Sequence, residues 1–136
     1  DRCFPQSHIV TIIQPTIEKV CADPPQSLMV IGTEFTIRSQ IFSTQIHRQL
    51  PTLDITQQAE QELVRMVEDR EFVGVHERVQ AIIGQMQSGQ TLLLGCTHFS
   101  VVKELFDKAI LLQHKQIEII DPSQELTDRV IRIFVR

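Results

Sequence analysis

The chain has 136 residues, of which 42% are hydrophobic and 22% are charged, and its formal net charge is -4. This length and composition predict one globular domain with a hydrophobic core of its own. The acidic balance argues against nucleic-acid binding, because no segment gathers enough Lys and Arg to supply the attraction to phosphates that such binding needs.

The sequence also bears on membrane contact, secretion and redox environment. No apolar run approaches the roughly 20 residues that a membrane helix requires, and the N-terminal DRCFPQSH lacks the hydrophobic run of a signal peptide. The three cysteines are odd in number and unclustered, so we expect no disulfide framework and a reducing, cytoplasmic location. The first residue is not Met, and we expect a domain that belongs to a longer polypeptide.

The first half of the chain alternates strand and helix patterns. His8 to Ile13 is rich in β-branched residues and predicts a strand, and Pro15 to Cys21 then predicts a short helix that begins with proline. Leu28 to Ile31 predicts a short buried strand. Thr33 follows that strand and can cap a helix from about Glu34 to Arg48.

The same alternation continues through the middle of the chain. Thr52 to Thr56 is a weaker strand candidate, and the apolar spacing predicts amphipathic helices over about Gln57 to Asp69 and Val75 to Gln87. Leu92 to Leu94 predicts another buried strand. Ser100 to Ile110 has the doubled apolar stripe of a further amphipathic helix.

The chain ends with one more strand and helix. Ile117 to Ile120 predicts the last strand, and Asp121 can cap a helix that has Pro122 at its first position. One face of that helix carries Leu126, Val130, Ile133 and Phe134. Because strands alternate with helices throughout, we expect an α/β fold with three layers, αβα, around a mainly parallel sheet of four or five strands.

The segment Thr91 to Phe99, TLLLGCTHF, carries most of the chemical information. It places Cys96 at the carboxyl end of a strand and just ahead of a helix, which is the edge where open α/β sheets bind their ligands. The positive end of a helix dipole favours a thiolate, and the thiolate is the form of cysteine that acts as base or nucleophile.

Three strand-to-helix turns follow this pattern, at Gly32, at Gly95 and at Asp121. In a parallel sheet they lie on one edge, so we expect one crevice to gather five side chains: Thr33, Thr36, Cys96, Thr97 and His98. Small hydroxyls and helix-start amides at such an edge suit a carboxylate or a phosphate.

Structural roles remain open for each of these residues. Free cysteine is among the most buried residue types, and His98 can act as a capping histidine that becomes a catalyst only if it reaches Cys96. Thr33 and Thr36 can serve simply as helix-start residues. Cys21 lies on an apolar stripe and is assigned to core packing, whereas Cys3 has no partner that the sequence identifies.

Other site types have weaker support. The sequence has no CxxC and no HExxH motif, and Cys-x-His supplies fewer ligands than a zinc site needs, so we predict no metal site. The acidic run Glu60, Glu62, Glu68 and Asp69 is by default a solvated helix face.

The segment LLLGCTHFS resembles the second cysteine motif of glutamate racemases, within the aspartate/glutamate racemase superfamily. Four further segments are similar to this family in order along the chain: HIVTIIQPTI (8–17), IGTEFTIRSQIF (31–42), VRMVE (64–68) and IIDPSQEL (119–126). The resemblance implies a two-lobed racemase fold of which residues 1–136 form the second, C-terminal lobe.

The resemblance also implies a mechanism that needs no cofactor. In this family two cysteines face opposite sides of the substrate Cα; one removes the proton and the other returns it from the far face. Cys96 would be one of them, His98 would tune it, and Glu68 would assist on this side. The reaction would interconvert L- and D-glutamate and supply D-glutamate for peptidoglycan.

The same resemblance assigns the substrate contacts and the partners. Thr97 and His98 would contact glutamate, and Thr33 and Thr36 would line the pocket. The implied partners are the small-molecule substrate and an N-terminal lobe, and a homodimer is also compatible with the family.

Several departures bear on this assignment. The family's Cys-Asn-Thr motif with the other cysteine, and its partnering Asp-Ser motif, do not occur in these residues. Ser100 stands where the motif usually has Pro, Glu60-Gln61 replaces a common Cys-Pro pair, and Arg65 replaces the Pro before Glu68. The simplest interpretation is one lobe that carries half of an active site.

Two alternatives therefore stay open. The first is a decarboxylase or isomerase of the same superfamily that uses one cysteine, and the second is a racemase-like domain that binds or regulates without catalysis. The lost prolines at positions 61, 65 and 100 favour these alternatives. The intact set of candidate site residues favours the racemase.

Overall fold

A computed structural model describes residues 10–134, and within them four parallel strands form one sheet. The strands are β1 (Ser27–Gly32), β2 (Asp54–Ala59), β3 (Thr91–Leu94) and β4 (Glu118–Ile120). Their order in the sheet is β2-β1-β3-β4, and every neighbouring pair is parallel. The predicted α/β class and the parallel sheet of four or five strands are confirmed.

Helices cover both faces of this sheet. They are α1 (Ile13–Ala22), α2 (Glu34–Ser39), α3 (Ile41–His47), α4 (Gln61–Glu68), α5 (Phe72–Gln85), α6 (Thr97–Val101), α7 (Lys103–Leu112) and α8 (Pro122–Phe134). None of the helices in the described part of the chain is both long enough and apolar enough to cross a membrane.

The strands alternate their side chains between two hydrophobic clusters. In β1, Met29 and Ile31 join a first cluster with buried residues of α4, α5 and α7, whereas Leu28 and Val30 join a second cluster with residues of α1 and α3. This period of two is what a strand buried on both faces requires. The predicted three-layer αβα arrangement is therefore confirmed.

The predicted strand over His8 to Ile13 is wrong where the structure describes it. Ile13 begins α1, and Val10 and Thr11 belong to no strand; His8 and Ile9 lie outside the described residues. The Thr11 hydroxyl accepts the N–H of Gln14 at 3.3 Å, which favours the first helical turn. Local hydrogen bonding thus outweighs the β propensity of these residues.

Two helices that the sequence predicts as continuous are each broken once. Gln40 adopts a left-handed conformation, with φ 51°, and divides the segment Glu34 to Arg48 into α2 and α3. Val102 interrupts the segment Ser100 to Ile110, so that the short α6 precedes α7. Neither break has a Gly or a Pro to signal it.

The boundary between β2 and α4 lies later than predicted. Gln57 and Gln58 were expected in a helix, but they pair with Val30 and Ile31 of β1 as part of the strand. Glutamine is a better helix former than strand former. Pairing with a central, buried strand overrides that preference.

The apolar face predicted for the last helix is only partly covered. Leu126 is half-buried, whereas Val130, Ile133 and Phe134 are exposed, Phe134 by 66%. The periodicity of this segment correctly predicts a helix. It does not by itself determine how much of the apolar face is buried.

Candidate active site

The turn after β3 places Cys96 at the carboxyl edge of the sheet because Gly95 lets two strand ends approach closely. The N–H of Gly95 donates to the carbonyl oxygen of Ile31 at 2.7 Å. A Cβ atom at position 95 would lie only 2.8 Å from that oxygen, closer than real Cβ contacts allow. The glycine therefore holds β1 and β3 together at the point where the cysteine begins.

Cys96 is the residue that precedes the first turn of α6. Its backbone is extended, with φ -145° and ψ 135°, and its side chain is half-buried. The Sγ atom lies 3.5 Å from Nδ1 of His98, within hydrogen-bonding distance for sulfur. From the sequence, a chemical role for His98 required that its side chain reach Cys96. This distance meets that condition.

His98 contacts a carboxylate on its other side. Its Nε2 lies 3.0 Å from Oε1 of Glu68, at the end of α4, and the two side chains are 39% and 57% exposed. Two successive contacts thus connect the thiol of Cys96, the imidazole of His98 and the carboxylate of Glu68. An imidazole held in this way can take a proton from the thiol, while the carboxylate orients the ring and stabilises its charged form.

A cavity of about 340 Å³ opens beside Cys96. Its walls are mainly apolar and include Leu94 from the first hydrophobic cluster and Phe42 from the second. Four hydroxyl side chains also line it, those of Thr36, Ser39, Thr97 and Ser123. The thiol of Cys96 is the one ionisable side chain among the described residues that line the cavity.

Thr33 and His98 do not line the cavity, but each contacts a residue that does, Thr36 and Cys96 respectively. The Thr33 hydroxyl accepts the N–H of Thr36 at 3.1 Å and lies 3.0 Å from the Thr36 hydroxyl, so it caps α2 as predicted. Neither Thr33 nor His98 is among the residues that line the cavity. Of the five side chains expected in one crevice, the structure places Thr36, Cys96 and Thr97 on its wall.

The acidic run does not form one solvated face, because Glu60 is only 2% exposed. Arg78 of α5 donates from Nε and from Nη2 to the two carboxylate oxygens of Glu60, both at 2.7 Å, and Gln58 also donates to that carboxylate. The Glu60 carboxylate raises the pKa of Arg78 above its ordinary value. The prediction was wrong here because the strand extends to Ala59, which draws Glu60 into the interior.

The other acidic side chains near Glu68 gather around Arg65. Its guanidinium donates to Glu62, Asp69 and Glu71, with shortest distances of 2.7 Å to each. These bonds raise the pKa of Arg65 and lower the pKa values of Glu62 and Glu71. Glu68 is thus the member of the run that faces His98.

A link between α6 and α8 was not foreseen from the sequence. The Ser100 hydroxyl donates to Oδ1 of Asp121 at 2.7 Å, and the same oxygen accepts the N–H of Ser123 at 2.9 Å. Asp121 therefore caps α8 as predicted and also holds α6. Serine in place of the usual proline was the available signal, but a contact with residue 121 needs the fold.

Two further predictions concern the other cysteines and metal binding. Cys21 packs against the second cluster, as predicted, and burial raises the pKa of its thiol. Cys3 lies outside residues 10–134. Within those residues, no three side chains of His, Cys, Asp or Glu come together in a way that could hold a metal ion.

Comparison with known proteins relates the chain to one group. No family model matches it. It is 30% identical over 102 residues to a glutamate racemase from Streptococcus equi subsp. equi, covering 71% of this chain and 36% of that protein. For a glutamate racemase from Geobacter metallireducens the identity is 28% over 134 residues, covering 94% and 48%. The chain thus spans half or less of the length of these curated relatives.

Comparison with solved structures also relates the chain to glutamate racemases. A glutamate racemase from Francisella tularensis, in complex with D-glutamate, matches with a TM-score of 0.71 and 26% identity, over 91% of this chain and 46% of that one. A glutamate racemase isoform from Bacillus anthracis has the same fold, with a TM-score of 0.77 at 21% identity, over 98% and 51%. By sequence and by fold, this chain is a relative of glutamate racemases and corresponds to about half of such a protein.

Proposed function

We propose that the chain is the C-terminal lobe of a racemase that interconverts L- and D-glutamate without a cofactor, with Cys96 as its acid and base on one face of Cα. The observation that carries this proposal is the contact of 3.5 Å between Sγ of Cys96 and Nδ1 of His98, beside a cavity that Cys96 lines. The similarity to glutamate racemases over most of the chain supports the substrate.

The proposed step is a proton transfer at carbon. The thiolate of Cys96 takes the Cα proton, so that the C–H bond breaks, an S–H bond forms and the electron pair stays on the substrate. That pair is delocalised into the α-carboxylate. A second thiol, supplied by an N-terminal lobe, then protonates the opposite face, and the two thiols exchange roles in the reverse direction.

His98 and Glu68 prepare Cys96 for this step. An imidazole beside Sγ accepts the thiol proton and generates the thiolate, and the Glu68 carboxylate stabilises the imidazolium that results. Because Cys96 lines a mainly apolar cavity, less water competes with the substrate there than at an open surface.

The lining of the cavity suits the anionic form of the substrate through neutral donors. Thr36, Thr97 and Ser123 offer hydroxyl groups near the thiol. Such donors stabilise the charge that develops on a carboxylate when a proton leaves Cα, and they do so best when they are held in place before the reaction. Thr33 assists by fixing the Thr36 hydroxyl.

D-Glutamate made in this way would serve peptidoglycan synthesis in the cytoplasm.

The test is deuterium exchange at Cα of D- and L-glutamate in D₂O, catalysed by the complete polypeptide. Cys96→Ser should lower exchange with both enantiomers by about 100-fold or more, because serine is a far weaker acid at neutral pH. Cys21→Ser is the matched control, since Cys21 packs away from the cavity, and it should stay within about twofold of the parent.

Three results would contradict the proposal. Absence of exchange with either enantiomer would favour the non-catalytic alternative. Exchange that survives Cys96→Ser would exclude Cys96 as the base. Cys96-dependent exchange without inversion, in a polypeptide that has no upstream Cys-Asn-Thr segment, would favour the one-cysteine alternative.

A further inference from the structure

The helix that carries the candidate catalytic residues is too short to hold itself in place. α6 has five residues, and an isolated helix of this length is far below the roughly 12 to 15 residues needed for marginal stability in water. Cys96 stands directly before it and His98 is its second residue. Their relative orientation must therefore come from contacts that α6 makes with the rest of the domain.

His98 supplies one such contact, to Glu68 of α4, and two adjacent side chains supply others. Phe99 is fully buried in the first hydrophobic cluster and fixes the distance of α6 from the sheet. Ser100 donates its hydroxyl proton to Asp121 at 2.7 Å, and its oxygen also lies 3.1 Å from the hydroxyl oxygen of Ser123. Because a hydrogen bond is directional, the contact with Asp121 constrains the rotation of α6 in a way that apolar packing of Phe99 does not.

The acceptor of this bond is itself firmly held. Asp121 is only 8% exposed, and its Oδ1 also accepts the N–H of Ser123 at the start of α8. A carboxylate that accepts two bonds in a partly buried place makes stronger hydrogen bonds than a neutral acceptor does. Proline, which the resembled motif usually has at position 100, could not make this link.

We propose that Ser100 and Asp121 are positioning residues for the Cys96 and His98 pair. Their hydrogen bond sets the rotation of α6 against α8, and through it the contact between Sγ and Nδ1 and the direction in which the thiol faces the cavity. This assignment rests on the proposed role of Cys96. It extends that role to a residue pair that touches neither the substrate nor the reacting atoms.

The first measurement follows the reactivity of Cys96. Cys3 and Cys21 are replaced by Ser in the complete polypeptide, and the rate at which iodoacetamide alkylates the peptide that contains Cys96 is recorded by mass spectrometry against pH, which separates Cys96 from a thiol of the N-terminal lobe. Ser100→Ala should change the rate at pH 7 by about threefold or more. Ser100→Thr, which keeps a hydroxyl, should restore the parental profile.

The second measurement follows Cα exchange in the complete polypeptide with its native cysteines. Ser100→Ala should lower kcat by about tenfold and leave KM within about twofold, because misplacing a reacting group costs rate while most of the cavity wall is unchanged. Asp121→Asn keeps an acceptor oxygen and should cost less than Ser100→Ala.

Thr127→Ala is the matched control for both measurements. It removes a hydroxyl that donates at 2.8 Å to the carbonyl oxygen of Ser123 within α8, and it does not touch α6. It should leave the alkylation profile, kcat and KM at parental values. Thermal unfolding of each variant separates a change in stability from a change in position.

The outcomes separate this proposal from the proposed function. If Ser100→Ala matches Thr127→Ala in both measurements, or if Ser100→Thr is as impaired as Ser100→Ala, the positioning role is overturned. If the complete polypeptide shows no Cys96-dependent exchange but Ser100→Ala alters alkylation in the expected way, the racemase proposal fails and the positioning role stands.

Discussion

Nε2 of His98 lies 3.0 Å from Oε1 of Glu68, and this contact joins the short helix beside Cys96 to the end of α4. Both side chains are partly exposed, so the pair contributes little to stability. Its effect is instead on the orientation of the imidazole, whose other nitrogen faces Sγ of Cys96.

The Glu68 contact gives the first prediction. Glu68→Gln keeps the size of the side chain but removes the charge that stabilises an imidazolium, and we expect kcat for Cα exchange by the complete polypeptide to fall about 10- to 100-fold. Glu77→Gln, on the exposed surface of α5, is the control and should have parental activity. Equal activity of the two variants would remove Glu68 from the mechanism.

The buried carboxylate of Glu60 gives the second prediction. Arg78→Gln leaves a carboxylate that is 2% exposed without its guanidinium partner, and we expect the free energy of unfolding to fall by about 2–4 kcal/mol. The partial exposure of Arg78 keeps the estimate below that for a fully buried pair.

An exposed ion pair provides the control for Arg78. Arg129→Gln breaks a contact of 2.8 Å with Glu18 in which both partners are over 40% exposed, and it should cost less than about 0.5 kcal/mol. Urea titrations of both variants test the difference. A loss at Arg78 as small as that at Arg129 would mean that Glu60 finds water or another donor.

The break between α2 and α3 gives the third prediction. Gln40 has φ 51°, a conformation that costs a non-glycine residue about 1 kcal/mol, and Gln40→Gly should therefore raise the free energy of unfolding by about 0.5–1 kcal/mol. Gln45→Gly places the same substitution inside α3 and should lower it by about 1 kcal/mol. Changes of the same sign in both variants would be inconsistent with strain at Gln40.

The fourth prediction concerns pH. Burial raises the pKa of Glu125 above its ordinary value, and Lys19 partly opposes this. Since the folded protein then binds this proton more tightly than the unfolded chain, the charged group costs stability at neutral pH, and the cost disappears below the unfolded pKa of about 4.3.

Glu125→Gln should therefore stabilise the protein at pH 7 and bring no gain near pH 4. Urea titrations at the two pH values measure this. Glu104→Gln is the control, because Glu104 also lies in the first turn of a helix but is exposed. A gain from Glu125→Gln that persists unchanged at pH 4 would contradict the proposed effect of burial.

Hydrophobic patterning was sufficient to predict the strands that are buried on both faces of the sheet. Leu28 to Ile31 and Leu92 to Leu94 are continuous apolar runs, and both are buried strands. It was not sufficient for β2, where Gln57 and Gln58 gain strand conformation from their neighbour β1. The break at Gln40 was equally hidden, because glutamine gives no signal for a left-handed conformation.

The candidate site shows the same division. Glycine at position 95 and the two threonines after β1 predicted one shared edge, and of the five side chains expected there Thr36, Cys96 and Thr97 line one cavity. The pairing of Glu60 with Arg78 joins positions 18 residues apart. That of Ser100 with Asp121 joins positions 21 apart. In each pair the two residues belong to different parts of the fold, so only the packing of the elements brings these side chains together.

The cavity beside Cys96 takes its walls from both sides of the sheet, with Leu94 from the first hydrophobic cluster and Phe42 from the second. A ligand that fills it would lose contacts whenever either layer opened. Its binding free energy would therefore oppose the opening of both layers at once. Saturation with a tight ligand should slow amide hydrogen exchange in α3 and in β3 together, so that the domain behaves as one cooperative unit.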